Sequence, residues 1–488
     1  MIPLLLLVSI SSLGYGKSRE EFILDAVDLI RNGCFQDAEE SLKKLTIIEP
    51  NRPVGHFLIS FSQFIHLIYN SENKEKISEF EKNLNRTISL AEKSLKRESG
   101  EKETRLILGT SYLLQSYYLA LRREALSAAF LAKKGKKILE NLLQEDPEIY
   151  DALFGLGIYN YYADRVPSIV KGIRFLLFLP GGDHVRGIQQ LQLAAERARH
   201  FDVESTLILA EIYSNKFEND HSSAYVELSR CANRNENLLV KHALAKLHMR
   251  ILNFEKAVPL LNEIIVKAEA KQADQDVIEL MTLHLIRCYL SMGRADKALP
   301  CFENLFSQNA DLARRDDILY LAAMALLLSG DAGQIEKFKG SIPDMKRKLE
   351  NVSKQSPPEK KLYIYRKNIE ALVKADRAEM DASMEILSRM IEEDDGDLMS
   401  RLRLGELFLK ELRAKEAFDL FQEILISKED SSSEILEIAE LRAGQALDLM
   451  QKRSLAEEFY HRIIAKRNST ALEAAYFYLK IPFGNDPR

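Results

Sequence analysis

The stretch Gly33-Cys34-Phe35-Gln36-Asp37-Ala38-Glu39-Glu40-Ser41-Leu42-Lys43-Lys44-Leu45-Thr46-Ile47-Ile48-Glu49-Pro50 decides the fold. Phe35, Ala38, Leu42 and Leu45 recur at helical spacing, so they line one face of a helix that Pro50 stops. The residues before it carry Phe22, Ala26 and Leu29 at the same spacing, with Gly33 between the two runs. Small residues at Ala26 and Ala38 allow two antiparallel helices to approach closely, with Leu42 and Leu45 filling the seam.

The pattern recurs. Tyr289, Gly293, Ala298, Phe302 and Leu305 form a second such set, and Gly405, Phe408, Ala417, Phe421 and Ile424 a third. Gly444, Leu447, Ala456, Tyr460 and Ile463 make a fourth, and Ala245, Phe254, Ala257, Leu261 and Ile264 a looser fifth. This spacing resembles the tetratricopeptide repeat, a helix-turn-helix unit of roughly 34 residues whose copies stack side by side. The resemblance implies an all-α fold, a tetratricopeptide-type helix-turn-helix superhelical solenoid, here with an apolar insertion. Ala38, Pro50, Ala298, Phe302, Gly405, Ala417, Phe421, Gly444 and Ala456 are then structural positions of the repeat. Leu108-Gly109-x-x-Tyr112 and Leu156-Gly157 read as first helices of further units, and Glu101 to Glu145 as two helices longer than the consensus. The expected organisation is a leader at 1–16, N-terminal helical repeats at 17–218 with the insertion at 163–186, and C-terminal repeats at 235–480.

Composition agrees with helices. Glycine and proline make up about 7% of the 488 residues, against a usual share of about 12%. Hydrophobic residues at 46% supply core for a chain too long for one domain. The 68 basic and 73 acidic residues are interspersed, without the concentrated basic face that a nucleic acid requires, so no nucleic-acid partner is expected. Ile2 to Ile10 is an apolar run followed by Gly14, Gly16 and the polar Lys17-Ser18-Arg19. It resembles a signal peptide that lacks the basic n-region; the other reading is a short apolar helix on the first repeat. Beyond it no apolar run reaches the roughly 18 residues of a membrane span. Cys34, Cys231, Cys288 and Cys301 have no metal-ligand spacing, and only Cys288 and Cys301 fall on one helix pair where a disulfide is conceivable.

One segment departs from the repeat: Phe154 to Leu191 holds too many residues between Leu156-Gly157 and the next helix. Within it Ile169, Val170, Ile173, Leu176 and Leu177 recur at helical spacing before Leu179-Pro180-Gly181-Gly182, and Asp183 is placed to cap the following helix. Gly155, Gly157, Pro167, Gly182, Asp183, Gly187 and Leu191 match a segment of exported bacterial tetratricopeptide proteins. More distantly they resemble the eukaryotic tetratricopeptide repeat protein 39 family and its yeast outer-membrane relatives. Buried, the insertion plugs the array; exposed, Tyr159, Tyr161, Tyr162, Ile169, Ile173, Arg174, Leu176 and Phe178 form a contact surface for a partner or a membrane interface.

No H-E-x-x-H, G-x-S-x-G or strand-borne G-x-G-x-x-G occurs, and His184 beside Asp183 lacks a nucleophile or metal set. The positions at which clamp-type repeats hold a peptide carboxylate carry Ile23, Val27, Leu402 and Glu406. The expectation is a non-catalytic scaffold or assembly factor of the periplasm or cell surface that binds a protein or peptide and needs no cofactor and no metal. A membrane-peripheral protein acting through 169–179 is the alternative, a cytoplasmic location the alternative to export, and an enzyme of unrecognised type the third reading.

Overall fold

The computed structural model describes residues 19–69, 73–97, 101–165, 181–342, 344–355, 359–427 and 433–485. The leader 1–16 and the insertion residues Ile169, Ile173, Arg174, Leu176 and Phe178 lie outside the described residues. The described residues form α-helices and one short 3₁₀ turn, with no strand. In chain order the helices are α1 (Arg19–Arg31), α2 (Phe35–Ile48), α3 (Val54–Tyr69), α4 (Lys74–Arg97), α5 (Lys102–Leu121), α6 (Ala125–Glu145), α7 (Asp151–Asp164) and α8 (His184–Arg197). There follow α9 (Asp202–Ser214), α10 (His221–Arg234), α11 (Leu238–Arg250), α12 (Phe254–Ala270), α13 (Gln275–Ser291), α14 (Ala295–Gln308), α15 (Asp316–Ser329) and α16 (Ala332–Ser341). The last are α17 (Met345–Gln355), α18 (Glu359–Asp376), α19 (Met380–Glu393), α20 (Leu398–Lys410), α21 (Ala414–Ile426), α22 (Ser433–Leu449), α23 (Arg453–Ala465) and α24 (Leu472–Lys480). They divide into two units. Unit 1 holds residues 1–211, 230–241 and 266–278; unit 2 holds 212–229, 242–265 and 279–488.

Within unit 1, α1/α2, α3/α4, α5/α6 and α7/α8 are helical hairpins, and the first helices α1, α3, α5 and α7 touch in succession. Unit 2 repeats the scheme with α18/α19, α20/α21 and α22/α23, and the first helices α15, α18, α20, α22 and α24 touch in the same way. These are stacked helix-turn-helix units. The small and aromatic signature residues occupy the seams as the spacing implies: Ala38, Ala298, Phe302, Ala417, Phe421 and Ala456 are fully buried. Pro50 lies in the turn after α2. Helices α5 and α6 run to 20 and 21 residues, the long pair expected between Glu101 and Glu145.

The turn inside the hairpins is also repeated. After α1, the N–H of Gly33 bonds the carbonyl of Ile30 and the N–H of Cys34 that of Leu29, the two bonds of a Schellman turn. Gly33 has φ +76°, the left-handed conformation this turn requires. The same place is filled by Arg123, Leu252, Gly293, Ala378, Leu412 and Gln451, all at positive φ. Five of these seven carry a side chain, at a cost of about 1 kcal/mol each that the surrounding hairpin must offset.

Candidate functional site

The tyrosine-rich helix α7 and its partner α8 are the first candidate. They approach backbone to backbone. A methyl added at Gly187 would lie 2.6 Å from the Tyr161 amide nitrogen and 2.8 Å from the Gly157 carbonyl, and one added at Gly157 would lie 2.9 Å from the Gly187 carbonyl. Asn160 donates to the Gln190 side chain at 2.6 Å inside this contact. Asp183 caps α8 by accepting from the Arg186 amide, as its position implies. His184 pairs through Nδ1 with Asp164 at 2.7 Å. Gly157, Gly182, Gly187 and Leu191 thus form the contact seam of one helix pair that Asp183 caps, while Gly155 faces Leu113 and Leu139 of the α5/α6 pair.

This geometry corrects part of the expected contact surface. Tyr161 is fully buried and cannot meet a partner. Tyr162 sets its ring edge-on to Tyr161 at 5.1 Å, and Tyr159 packs against the core around Leu139 and Leu156, with the Lys136 ammonium over its ring.

The second candidate is the inner face of unit 1, where the first helices of such an array offer a groove. Here the groove is filled. The segment Arg199 to Glu204 lies on α1, α3 and α5, with Phe201 stacked on Phe154 at 4.8 Å and edge-on to Phe57 and Phe61. What remains is an apolar cavity of about 80 Å³ between Ile23, Ile30, Phe57, Phe61, Ile107 and Phe201. Asp151, buried at the start of α7, holds the segment by accepting from the amides of Arg199, His200 and Phe201. Arg31 on α1 pairs with Glu204 at 2.7 Å and Asp202 at 3.0 Å, and donates to the His200 carbonyl. Burial alone disfavours the Arg31 charge, but the two carboxylates outweigh it and raise its pKa.

A third group was not singled out in the sequence. His66 on α3, Lys76 on α4 and Asp276 at the start of α13 form a triangle inside unit 1. His66 Nε2 is 2.9 Å from Asp276 Oδ2, Lys76 Nζ is 2.8 Å from His66 Nε2, and Lys76 Nζ is 2.9 Å from Asp276 Oδ2. Asp274 brings Oδ2 to 3.6 Å from His66 Nε2. That oxygen is buried and accepts no hydrogen bond, while its other oxygen accepts from the Gln36 amide. The His66 ring stacks on Phe35 at 4.4 Å, which fixes its plane. Burial pushes Asp274 upward. It pushes Asp276 upward too, but hydrogen bonds from His66 and Lys76 overcome this and hold Asp276 well below the usual carboxylate range. One donor atom from each of His66, Asp274 and Asp276 falls within 4.8 Å of the others, the arrangement of a metal-ligand set. The only sequence signal is the pair Asp274-x-Asp276 and a histidine on an apolar helix, some 200 residues apart.

All four cysteines are free thiols, so Cys288 and Cys301 do not pair. Burial lifts the Cys288 thiol to about 12 and the Cys34 thiol to about 11, which leaves both unreactive near neutrality. Glu406, at a clamp position, is held between Arg403 and Arg442.

No family model matches the sequence, and no curated protein matches it. Among solved structures the chain is similar to yeast Tom70, at 12% identity over 92% of this chain and 97% of that one, with a TM-score of 0.29. It is similar to the complex of the TPR2AB domain of yeast Sti1 with pHSP90, at 14% identity over 57% of this chain and 98% of that one, TM-score 0.23. A tetratricopeptide repeat protein from Parabacteroides merdae gives 13% identity over 57% and 97%, TM-score 0.24.

Proposed function

We propose that the chain is a non-catalytic protein-binding scaffold, exported to the periplasm or cell surface, that engages its partner on the outside of its hairpins. The supporting observation is the contrast on unit 1 between a filled inner face and an apolar outer turn. Where α5 meets α6, Leu121, Leu126 and Phe130 are 63%, 55% and 53% exposed. Leu126 and Phe130 stand one helical turn apart on one face. Exposed large side chains gathered at one turn favour a protein contact.

Capture of the partner by the intact protein and by two variants tests this. Phe130→Glu is expected to abolish capture, whereas Phe201→Ala, which opens the inner face, is expected to leave it. Capture that survives Phe130→Glu and fails with Phe201→Ala would move the site inside. Export rests on Leu4 to Gly16, and N-terminal sequencing of the cellular product tests it: a cytosolic product starting at Met1 contradicts it. The reading as a membrane-peripheral protein rests on the spacing of Ile169, Ile173 and Leu176; flotation with liposomes that is lost when this segment is charged would favour it.

A further inference from the structure

Three groups crowd one ring nitrogen of His66: Asp276 Oδ2 lies 2.9 Å and Lys76 Nζ 2.8 Å from Nε2, with Lys76 Nζ also 3.5 Å from Nδ1. With the proton on Nε2 the imidazole donates to Asp276, and Lys76 serves Asp276 and the bare Nδ1. Asp274 is left out of this exchange: its buried Oδ2 accepts no hydrogen bond and sits 3.6 Å from the same Nε2. That defect disappears if a cation lies where the three side chains converge, because each then presents a lone pair to it.

We propose that His66, Asp274 and Asp276 bind one divalent first-row transition-metal ion of the zinc class, for which the Lys76 ammonium stands in. Ligand distances of roughly 2.0 to 2.2 Å around such an ion place donor atoms about 3 to 3.6 Å apart, and the separations here bracket that range. The imidazole favours zinc, cobalt or nickel over magnesium and calcium, which take oxygen sets. Lys76 is free to leave: its side chain is 28% exposed, against 6% for His66 and 5% for Asp274. The surroundings already orient the ligands. Phe35 stacks on the His66 ring, the Gln36 amide holds the far oxygen of Asp274, and the Asp274 amide donates to the Gly33 carbonyl. Both Gly33 and Gln36 belong to the first hairpin. The ion would therefore tie the start of α13 to α3 and, through Asp274, to the first hairpin turn of unit 1. Its role is structural.

The test is titration of the full chain, prepared without a histidine tag and stripped with chelator. Calorimetry with zinc and visible absorption with cobalt are expected to show one ion per chain, with magnesium failing to compete and a raised melting temperature at saturation. Asp274→Asn, a near-isosteric change, and His66→Gln should each weaken binding by at least about tenfold. Lys76→Met, which removes the competing charge, should strengthen it by about tenfold or more at neutral pH. Three results would overturn the proposal: no saturable binding to the wild-type chain, binding undiminished in both ligand variants, or binding that appears only in Lys76→Met. The last would make the ammonium the resident cation and the cluster an ion-pair fastening.

Discussion

The α7/α8 pair of unit 1 and the α20/α21 and α22/α23 hairpins of unit 2 use glycine at a helix contact for different physical purposes. In α7/α8, Gly157 and Gly187 face each other's carbonyls, so the glycines let two backbones meet. The α5/α6 pair does the same, a methyl on Gly135 lying 2.7 Å from the Gly109 carbonyl. In unit 2, Gly405 faces the Phe421 ring, with its absent methyl 2.5 Å from Cε1, and Gly444 faces the Tyr460 ring in the same way. There the glycine makes room for an aromatic side chain. A side chain can rotate or be shortened; a carbonyl held in a helix cannot. Glycine at a helix contact thus tolerates change very differently in the two regions.

The largest effect is expected from Gly187→Ala. Its methyl meets backbone on two sides, so the helices must separate, and we expect a loss of about 3 kcal/mol or more in denaturant unfolding. No shortening of a neighbouring side chain should restore it, and rescue by Leu191→Ala would break the comparison. Ala298→Leu comes next at about 2 to 3 kcal/mol. Ala298 is fully buried in a core with Ile286 and Phe302, and the added volume must displace them. The neighbouring Lys297→Ala removes a half-exposed ion pair with Asp376 and a distant cation–π contact with Tyr289, and should change stability by less than about 1 kcal/mol. Hydrogen exchange should localise the Ala298→Leu damage to nearby helices.

Gly405→Ala should cost less, about 1 to 2 kcal/mol, because Phe421 can give way. Combining it with Phe421→Leu should recover part of the loss, measured as a double-mutant cycle. Equal costs for Gly405→Ala and Gly187→Ala, with no coupling to Phe421, would erase the distinction. Acid sensitivity in unit 2 comes last, with a small loss per histidine. Burial lowers His221 and His284 to about 4 and His242 well below its ordinary value. Their folded pKa values lie below the unfolded value near 6.5, so the stability they contribute is complete above that pH and is lost as pH falls toward 4. Between pH 7.5 and 5.5 His221 and His284 should each cost about 1 kcal/mol. Melting curves of His221→Leu should be flatter over this range than those of the wild-type chain.

The repeat itself was legible because its seam residues have side chains and a period: Ala38, Ala298, Phe302, Ala417 and Phe421 sit where the spacing puts them. The glycine motif around Gly157 and Gly187 was legible as a resemblance, but its purpose was not, since backbone proximity leaves no trace in one sequence. The hairpin turns escaped for a related reason. Only Gly33 and Gly293 advertise a left-handed residue, while Arg123, Leu252, Ala378, Leu412 and Gln451 adopt it under tertiary constraint. His66 and Asp274 are joined by topology alone, across some 200 residues. Tyr161 misled because a buried tyrosine and a contact tyrosine look alike on a helix that is apolar all round.

The inner face of unit 1 carries its own occupant, and that sets terms for any outside peptide. Phe201 follows α8 by a short connection, its amide is held by Asp151 and Glu204 is held by Arg31, so the segment competes at an effective concentration of roughly millimolar or above. If the segment's own affinity for this face is about micromolar, a free peptide would bind there roughly a thousandfold more weakly than to an empty face. The segment therefore acts as a covalently attached competitor, and dilution cannot remove it.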